Sequence, residues 1–193
     1  MIFNILIEGH IDEAVARKIL IFSGHESGVA YGKKGWTYIH KKIAAFDRSC
    51  SAQGLLTLVD LMDTRLACPV TVVDEWLPNA HINHVFRIVV REIESWVLAD
   101  RANIASFLNI PIAKLLFDPD AQVDPKQTLI NLARGSRAKA IRNSLVPEAG
   151  RSASEGPLYT SEIVRFVTEY WDPSSAKEHS KSLASCLSKL QNF

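Results

Sequence analysis

The chain has 193 residues but only three cysteines, Cys50, Cys68 and Cys186, far apart and without a CxxC pair. An odd, scattered set of this kind points to reduced thiols rather than a disulfide framework or a structural zinc site. An excess of one charge is missing too. The net charge is only +1, so the field of the whole molecule does not draw it onto DNA or RNA, and any such binding must come from local clusters. No apolar stretch approaches the ~20 residues that cross a bilayer. The opening run Ile2–Ile7 is too short for a signal peptide and lacks a charged start and a small-residue cleavage site. The expectation is a cytoplasmic protein with no membrane partner. There is no Gly-x-x-x-x-Gly-Lys-Ser/Thr phosphate loop and no Gly-x-Ser-x-Gly elbow, which excludes P-loop ATP hydrolysis and an α/β-hydrolase nucleophile. Internal repeats and low-complexity tracts are also absent.

What is present is ordinary globular composition, 47% hydrophobic and 22% charged, enough for one domain or one domain with a helical extension. Ile2-Phe3-Asn4-Ile5-Leu6-Ile7 reads as a buried parallel strand ending at Glu8-Gly9. A helix follows from near Asp12, with Val15, Ile19 and Phe22 on one face and Asp12 or Glu13 at its positive end. Gly24, Gly28, Gly32 and Gly35 punctuate what reads as a loop. A basic helix is expected over 36–46 and another helix over 69–77. Leu55–Val59 and Val85–Val90 are further strand-like runs, the second passing into a helix at Ser95–Ala99. Strands alternating with helices imply βαβ units and a parallel sheet. Beyond Asp100 strand signals fade, and helices are expected at 101–108, 125–133, 136–144, 160–170 and 174–190. Asp124-Pro125 and Asp172-Pro173 supply start signals, Gly135 a stop, and 146–157 reads as a weakly structured loop.

The informative pattern is positional. Three strand-like runs end in acids: Glu8, Asp60 and the pair Glu92/Glu94. In a parallel sheet all strand C-termini share one edge, the edge at which open α/β sheets bind ligands. Carboxylates crowded there repel and take up protons unless something positive lies among them. A divalent cation is the natural remedy, and all-oxygen ligands suit Mg²⁺ or Mn²⁺ rather than zinc. Such ions polarise phosphate and activate water. The competing explanation is that polar residues simply end strands and cap the following helices.

Ile7-Glu8-Gly9-His10-Ile11-Asp12 resembles the Glu-Gly-x-x-Asp/Glu opening of TOPRIM domains of topoisomerases, primases and overcoming-lysogenization-defect nucleases. Phe86–Asp100, Asn131–Arg137, Trp171-Asp172-Pro173 and Ser182-Leu183 are similar to a TOPRIM-related bacterial domain family without a settled function, and the similarity spans nearly the whole chain. The resemblance implies a TOPRIM-like (Rossmann-like) α/β fold over residues 1–100, a mostly parallel sheet flanked by helices, with a helical C-terminal portion over 101–193 packed on it. It implies a glutamate at the first strand as metal ligand or general acid/base, the role of Glu8, and an Asp-x-Asp motif after a later strand, beginning at Asp60. This chain departs from that motif: Met62 stands two residues after Asp60, and the next carboxylate is Asp63. Glu92 and Glu94 fall where nuclease-type relatives carry further acids, and Asp12 either reaches a second metal or caps its helix. The implied activity is Mg²⁺- or Mn²⁺-dependent cleavage of DNA or RNA, often beside an ATPase partner in defence against phage and mobile DNA.

Arg134, Arg137, Lys139 and Arg142 form a dense basic cluster that either lines a groove for backbone phosphates or is a solvated helix face. Arg91, beside the acids, is a phosphate contact or a counter-charge. Lys33, Lys34, Lys41 and Lys42 flank Trp36 and Tyr38, an arrangement that stacks unpaired bases or belongs to a core. His81, His84 and Cys68 lack a fourth zinc ligand. Two rivals remain: a TOPRIM-fold interaction subunit without chemistry, favoured by Met62, and a phosphotransferase or phosphatase acting on a small substrate.

Overall fold

A computed structural model describes residues 1–50, 52–150 and 152–193. Four strands form one all-parallel sheet: β1 (Ile2–Ile7), β2 (Glu26–Gly32), β3 (Gly54–Asp60) and β4 (His84–Val89), in the order β2-β1-β3-β4. Parallel strands need crossovers. Helix α1 (His10–Phe22) links β1 to β2, α2 (Trp36–Arg48) links β2 to β3, and α3 (Leu61–Thr64) with α4 (Pro69–Trp76) link β3 to β4. The two-residue period of the strands sorts their side chains into two layers. Phe3, Ile5, Leu56, Leu58, Val85 and Val89 point into the larger core with α1 and the last helix, Lys181–Gln191, whereas Leu6, Leu55, Val59, Phe86 and Ile88 share the smaller core with Ile39 and Ile43 of α2 and Val72 and Trp76 of α4. The architecture is α/β and Rossmann-like.

Strand β2 is the main departure from the expectation of a glycine-punctuated loop. It is an edge strand with few buried side chains, so it carries no hydrophobic alternation to read. Pairing makes it a strand: Ile2 to Ile7 register against Glu26 to Gly32, with a bulge between Phe3 and Ile5. Asn4, the polar residue in an apolar run, meets that bulge by accepting from the Val29 N–H at 3.0 Å. Gly32 (φ 96°) closes the strand where an added Cβ would strike the Ile7 carbonyl. Glycine is required there both for its left-handed backbone and for the close approach.

Past β4 the described chain contains helices and turns but no strand: α5 (Ile93–Ala99), α6 (Arg101–Leu108), α7 (Pro125–Arg134), α8 (Lys139–Leu145), α9 (Tyr159–Glu169), α10 (Pro173–Ala176) and α11 (Lys181–Gln191). Asp124 Oδ1 accepts from the Gln127 N–H at 2.7 Å and Asp172 Oδ1 from the Ser174 N–H at 2.9 Å, the capping role expected of both. Helix α7 ends before Gly135. The expected helix 174–190 is two helices, because Ser180 interrupts it and caps α11 by accepting from the Leu183 N–H at 3.1 Å. The expected helix 136–144 begins only at Lys139. The loop expected over 146–157 includes residue 151, which lies outside the described residues. Among the described residues no helix is long and apolar enough to cross a membrane.

Trp96, Asp100, Trp171, Asp172 and Ser182 meet in one hub. Trp171 donates its indole N–H to the Trp96 carbonyl at 3.0 Å, Trp96 donates to Ser182 Oγ at 2.7 Å, and Asp100 accepts from the Asp172 N–H and from Asn103, both at 2.8 Å. Their work is to tie α5 to α10 and α11.

Candidate functional site

The C-terminal edge of the sheet gathers the acids. Glu8 follows β1, and its Oε1 accepts the Asp60 N–H at 2.9 Å, which joins the tips of β1 and β3. Asp60 ends β3, and its Oδ1 is buried without a hydrogen-bond partner. Asp12 lies one turn into α1 and is buried, with Oδ1 likewise unpartnered. The helical turn α3 follows Asp60. Met62 is 43% exposed, while the Asp63 carboxyl comes within hydrogen-bonding reach of Glu8. Two carboxyl groups sharing a hydrogen bond need one proton between them or a cation in its place.

Glu92 and Glu94 complete the rim from the N-terminus of α5. Glu92 Oε2 accepts the Lys126 N–H at 3.1 Å, a carboxylate set against the positive end of α7. Glu94 is buried, and Oε1 accepts from the Tyr159 hydroxyl at 3.0 Å. Tyr159 and Lys126 carried no sequence signal, because α7 and α9 are brought to the edge only by tertiary packing. The ammonium of Lys126 lies 5.1 Å from the centre of the Tyr159 ring and is ion-paired with Glu155. It raises the local positive potential without a direct bridge to the six acids.

Burial and mutual repulsion act together on this set. Burial, then the charges of Asp12 and Asp63, pushes Glu8 up to about 8 against the pull of the Asp60 N–H. Burial lifts Asp12 to about 6, with Asp63 adding to it and backbone N–H groups opposing. Asp60 lies well above the usual carboxylate range through burial and the charges of Asp12, Glu8, Glu94 and Glu92. Burial and the neighbouring Glu92 raise Glu94 to about 7, and burial raises Glu92 despite the Lys126 N–H. The six expected acids therefore stand within electrostatic reach of one another, and among the described ion pairs none joins them to an arginine or lysine. Glu13, adjacent to Asp12, behaves oppositely. Burial raises it, but Lys33 at 2.5 Å and Arg17 at 2.8 Å outweigh that and hold it low. Glu13 is a structural ion-pair centre.

The carboxylates are close without being arranged around a formed ion site: among the described residues no three His, Cys, Asp or Glu side chains are grouped to hold a metal. In donor chemistry the set fits a hard divalent cation, since it is all oxygen and keeps two buried carboxylate oxygens, Asp12 Oδ1 and Asp60 Oδ1, with no partner.

The basic residues divide. Arg91 stands half-buried beside Glu92, its backbone N–H donating to Ser95 Oγ at 3.0 Å. Arg134 and Arg142 line a cleft of about 550 Å³ with Asn143, Val146 and Pro157, although the Arg142 guanidinium is engaged with the Ser136 carbonyl at 2.5 Å. Arg137 and Lys139 are exposed and do not line it. Pro157 also lines a second cleft with His10, Glu155 and Tyr159, so the basic cleft continues toward the acidic edge. The second basic group does not hold together. Lys33 is spent on Glu13, and Trp36 stacks on Trp76 at 6.2 Å in the smaller core.

His84 is a core residue. Its ring bonds Asp47 Oδ1 and Thr57 Oγ1, both at 2.8 Å. The order Thr57–His84–Asp47 mimics a nucleophile relay, but Thr57 is fully shut off from solvent, so no substrate reaches it. All three thiols are free, with Cys50 and Cys186 buried and Cys68 exposed.

Comparison of the chain with protein-family models, with curated proteins and with solved structures found no match.

Proposed function

We propose that the protein is a TOPRIM-type nuclease of the cytoplasm that cleaves DNA or RNA phosphodiester bonds with Mg²⁺ or Mn²⁺, working with an ATPase partner in defence against phage or mobile DNA. The observation that carries this reading is the convergence of Glu8, Asp12, Asp60, Asp63, Glu92 and Glu94 on one sheet edge with no basic ion-pair partner among the described contacts. Asp60, Asp12 and Asp63 would hold the cation, with Glu92 and Glu94 as further acids available to it. When bound, the ion polarises a phosphoryl oxygen and lowers the pKa of water.

The residues of the chain do the rest. Glu8, held near 8, carries a proton at neutral pH, which suits general acid–base work. The Asp60 N–H fixes the Glu8 carboxyl in place. Tyr159 and the Lys126 N–H fix Glu94 and Glu92. Arg91 and the Arg134/Arg142 cleft would position backbone phosphates.

The test is incubation of the purified protein with plasmid, single-stranded DNA and tRNA, with and without Mn²⁺. Cleavage is expected only with the metal, and Glu8→Ala is expected to lower it by about 100-fold or more, the scale of general acid–base catalysis. Met62→Ala is expected to retain activity. No cleavage of any substrate with any divalent metal would overturn the proposal. That outcome favours a second reading, a TOPRIM-fold interaction subunit without chemistry, whose support is that no three ligating side chains are grouped for an ion among the described residues. Hydrolysis of small phosphate esters alone would favour a phosphatase.

A further inference from the structure

Strand β4 is an outer strand of the sheet. Leu55 N–H donates to the Asn83 carbonyl, and the β3–β4 register runs from Leu55↔His84 to Asp60↔Val89. By the alternation of a parallel ladder, the backbone groups of Val85, Arg87 and Val89 face β3, and those of Phe86 and Ile88 face outward. Unpaired groups of this kind are a template for another strand. A groove of about 610 Å³ runs along this edge, with Phe86, Arg87, Ile88 and Val90 as its floor.

The two walls differ. On the α4 side stand Pro69, Val70 and Val73, with Val70 64% exposed. On the α11 side stand Lys181, Ser182 and Ser185. Arg87 belongs to this polar wall, being the neighbour in register of Val85 and Val89, which pack on that face. Its Nε is buried with no hydrogen-bond partner, and neither Arg87 nor Lys181 enters a described ion pair. The groove also holds Asp74, exposed on α4, and Asp120, whose Oδ2 is occupied by the Ser182 N–H at 3.0 Å. Asp120 adds one acid to the polar wall that carries Arg87 and Lys181, so that wall keeps a net positive charge.

We propose that this groove takes an extended segment of a partner protein as a fifth strand, with apolar side chains toward Val70 and Val73 and acidic side chains toward Arg87 and Lys181. Main-chain bonds to Phe86 and Ile88 supply affinity, and the alternation supplies specificity. The unlike walls select a segment whose successive residues alternate in character, because side chains of a strand point to opposite faces. A second copy of this chain fits poorly, because its own helices flanking β4 would enter the space already bounded by α4 and α11. The inference does not depend on the acidic edge being catalytic.

The probe is a peptide of about seven alternating valines and glutamates, ~23 Å long when extended, offered to the full chain. Amide exchange at Phe86 and Ile88 is expected to slow on binding. N-methylation of alternate peptide amides is expected to abolish that protection. Lys181→Glu, at an exposed position that leaves the core intact, is expected to weaken binding about tenfold, the scale of one charge-assisted contact, and to favour the corresponding valine–lysine peptide. Unchanged exchange at Phe86 and Ile88, or equal binding of the N-methylated peptide, would overturn the proposal. A concentration-dependent dimer in sedimentation that Val70→Arg abolishes would instead assign the edge to a second copy.

Discussion

At the scale of single residues, burial without counter-charge is the dominant fact. Glu8, Glu94 and Asp12 titrate near 8, 7 and 6 when folded, against ordinary values of 4.5, 4.5 and 3.8. The folded state therefore binds protons more tightly than the unfolded chain. The stability these groups contribute is complete below their unfolded values and is lost as pH rises through the folded ones. His84 has the opposite sign, since burial lowers it, but above its ordinary value of 6.5 it is neutral in both states and drops out. Between pH 6.5 and 8.5, without divalent ions, the wild type is expected to lose on the order of 3 kcal/mol, about 2 of it through Glu8, a fall of roughly 10 °C in Tm. Glu8→Gln should flatten that slope, and Mn²⁺ should restore Tm most at the alkaline end. Thermal melts across this window check both; a slope indifferent to Glu8→Gln would remove Glu8 from the cluster.

At the scale of elements, short pieces aim the acids. The single turn α3 turns Met62 outward and brings Asp63 to Glu8. Helix α7 anchors Glu92 by its first turn, and Asp124 fixes that turn through Gln127. Asp124→Ala is expected to cost about 1 kcal/mol for the lost cap, and to reduce the stabilisation that Mn²⁺ confers by loosening Glu92. Calorimetry with and without Mn²⁺ separates the two effects. Start and stop signals of this local kind, Asp124-Pro125, Asp172-Pro173 and Gly135, were legible because capping is a contact over three or four residues. Strand β2 was not, because an exposed edge strand held by its neighbour β1 carries no pattern of its own.

At the scale of the whole molecule, one core joins the halves of the chain. Phe3, Ile5 and Leu56 from the sheet pack in the same cluster as Phe166, Trp171, Leu187 and Leu190. Helix α9 lies on α1 and α11 on β4. Residues 1–100 expressed alone would expose that face, and the Trp96 carbonyl would lose the Trp171 indole. The fragment is expected to lack a cooperative thermal transition by circular dichroism, whereas the full chain shows one; a cooperative melt of the fragment would mark residues 1–100 as an independent unit.

The alternation of apolar runs with helical periods determined the parallel α/β class, and the placing of Glu8, Asp60 and Glu92 directly after those runs determined that they share an edge. Both follow from the two-residue period and the single direction of parallel strands, which any reader of the sequence can apply. Tertiary structure alone decided that Asp63 reaches Glu8 past Met62, that Tyr159 and Lys126 support Glu94 and Glu92, that Arg137 and Lys139 leave the basic cleft, and that β4 stays open. Each of these depends on how distant segments pack, and a contact across tens of residues writes no local period into the chain.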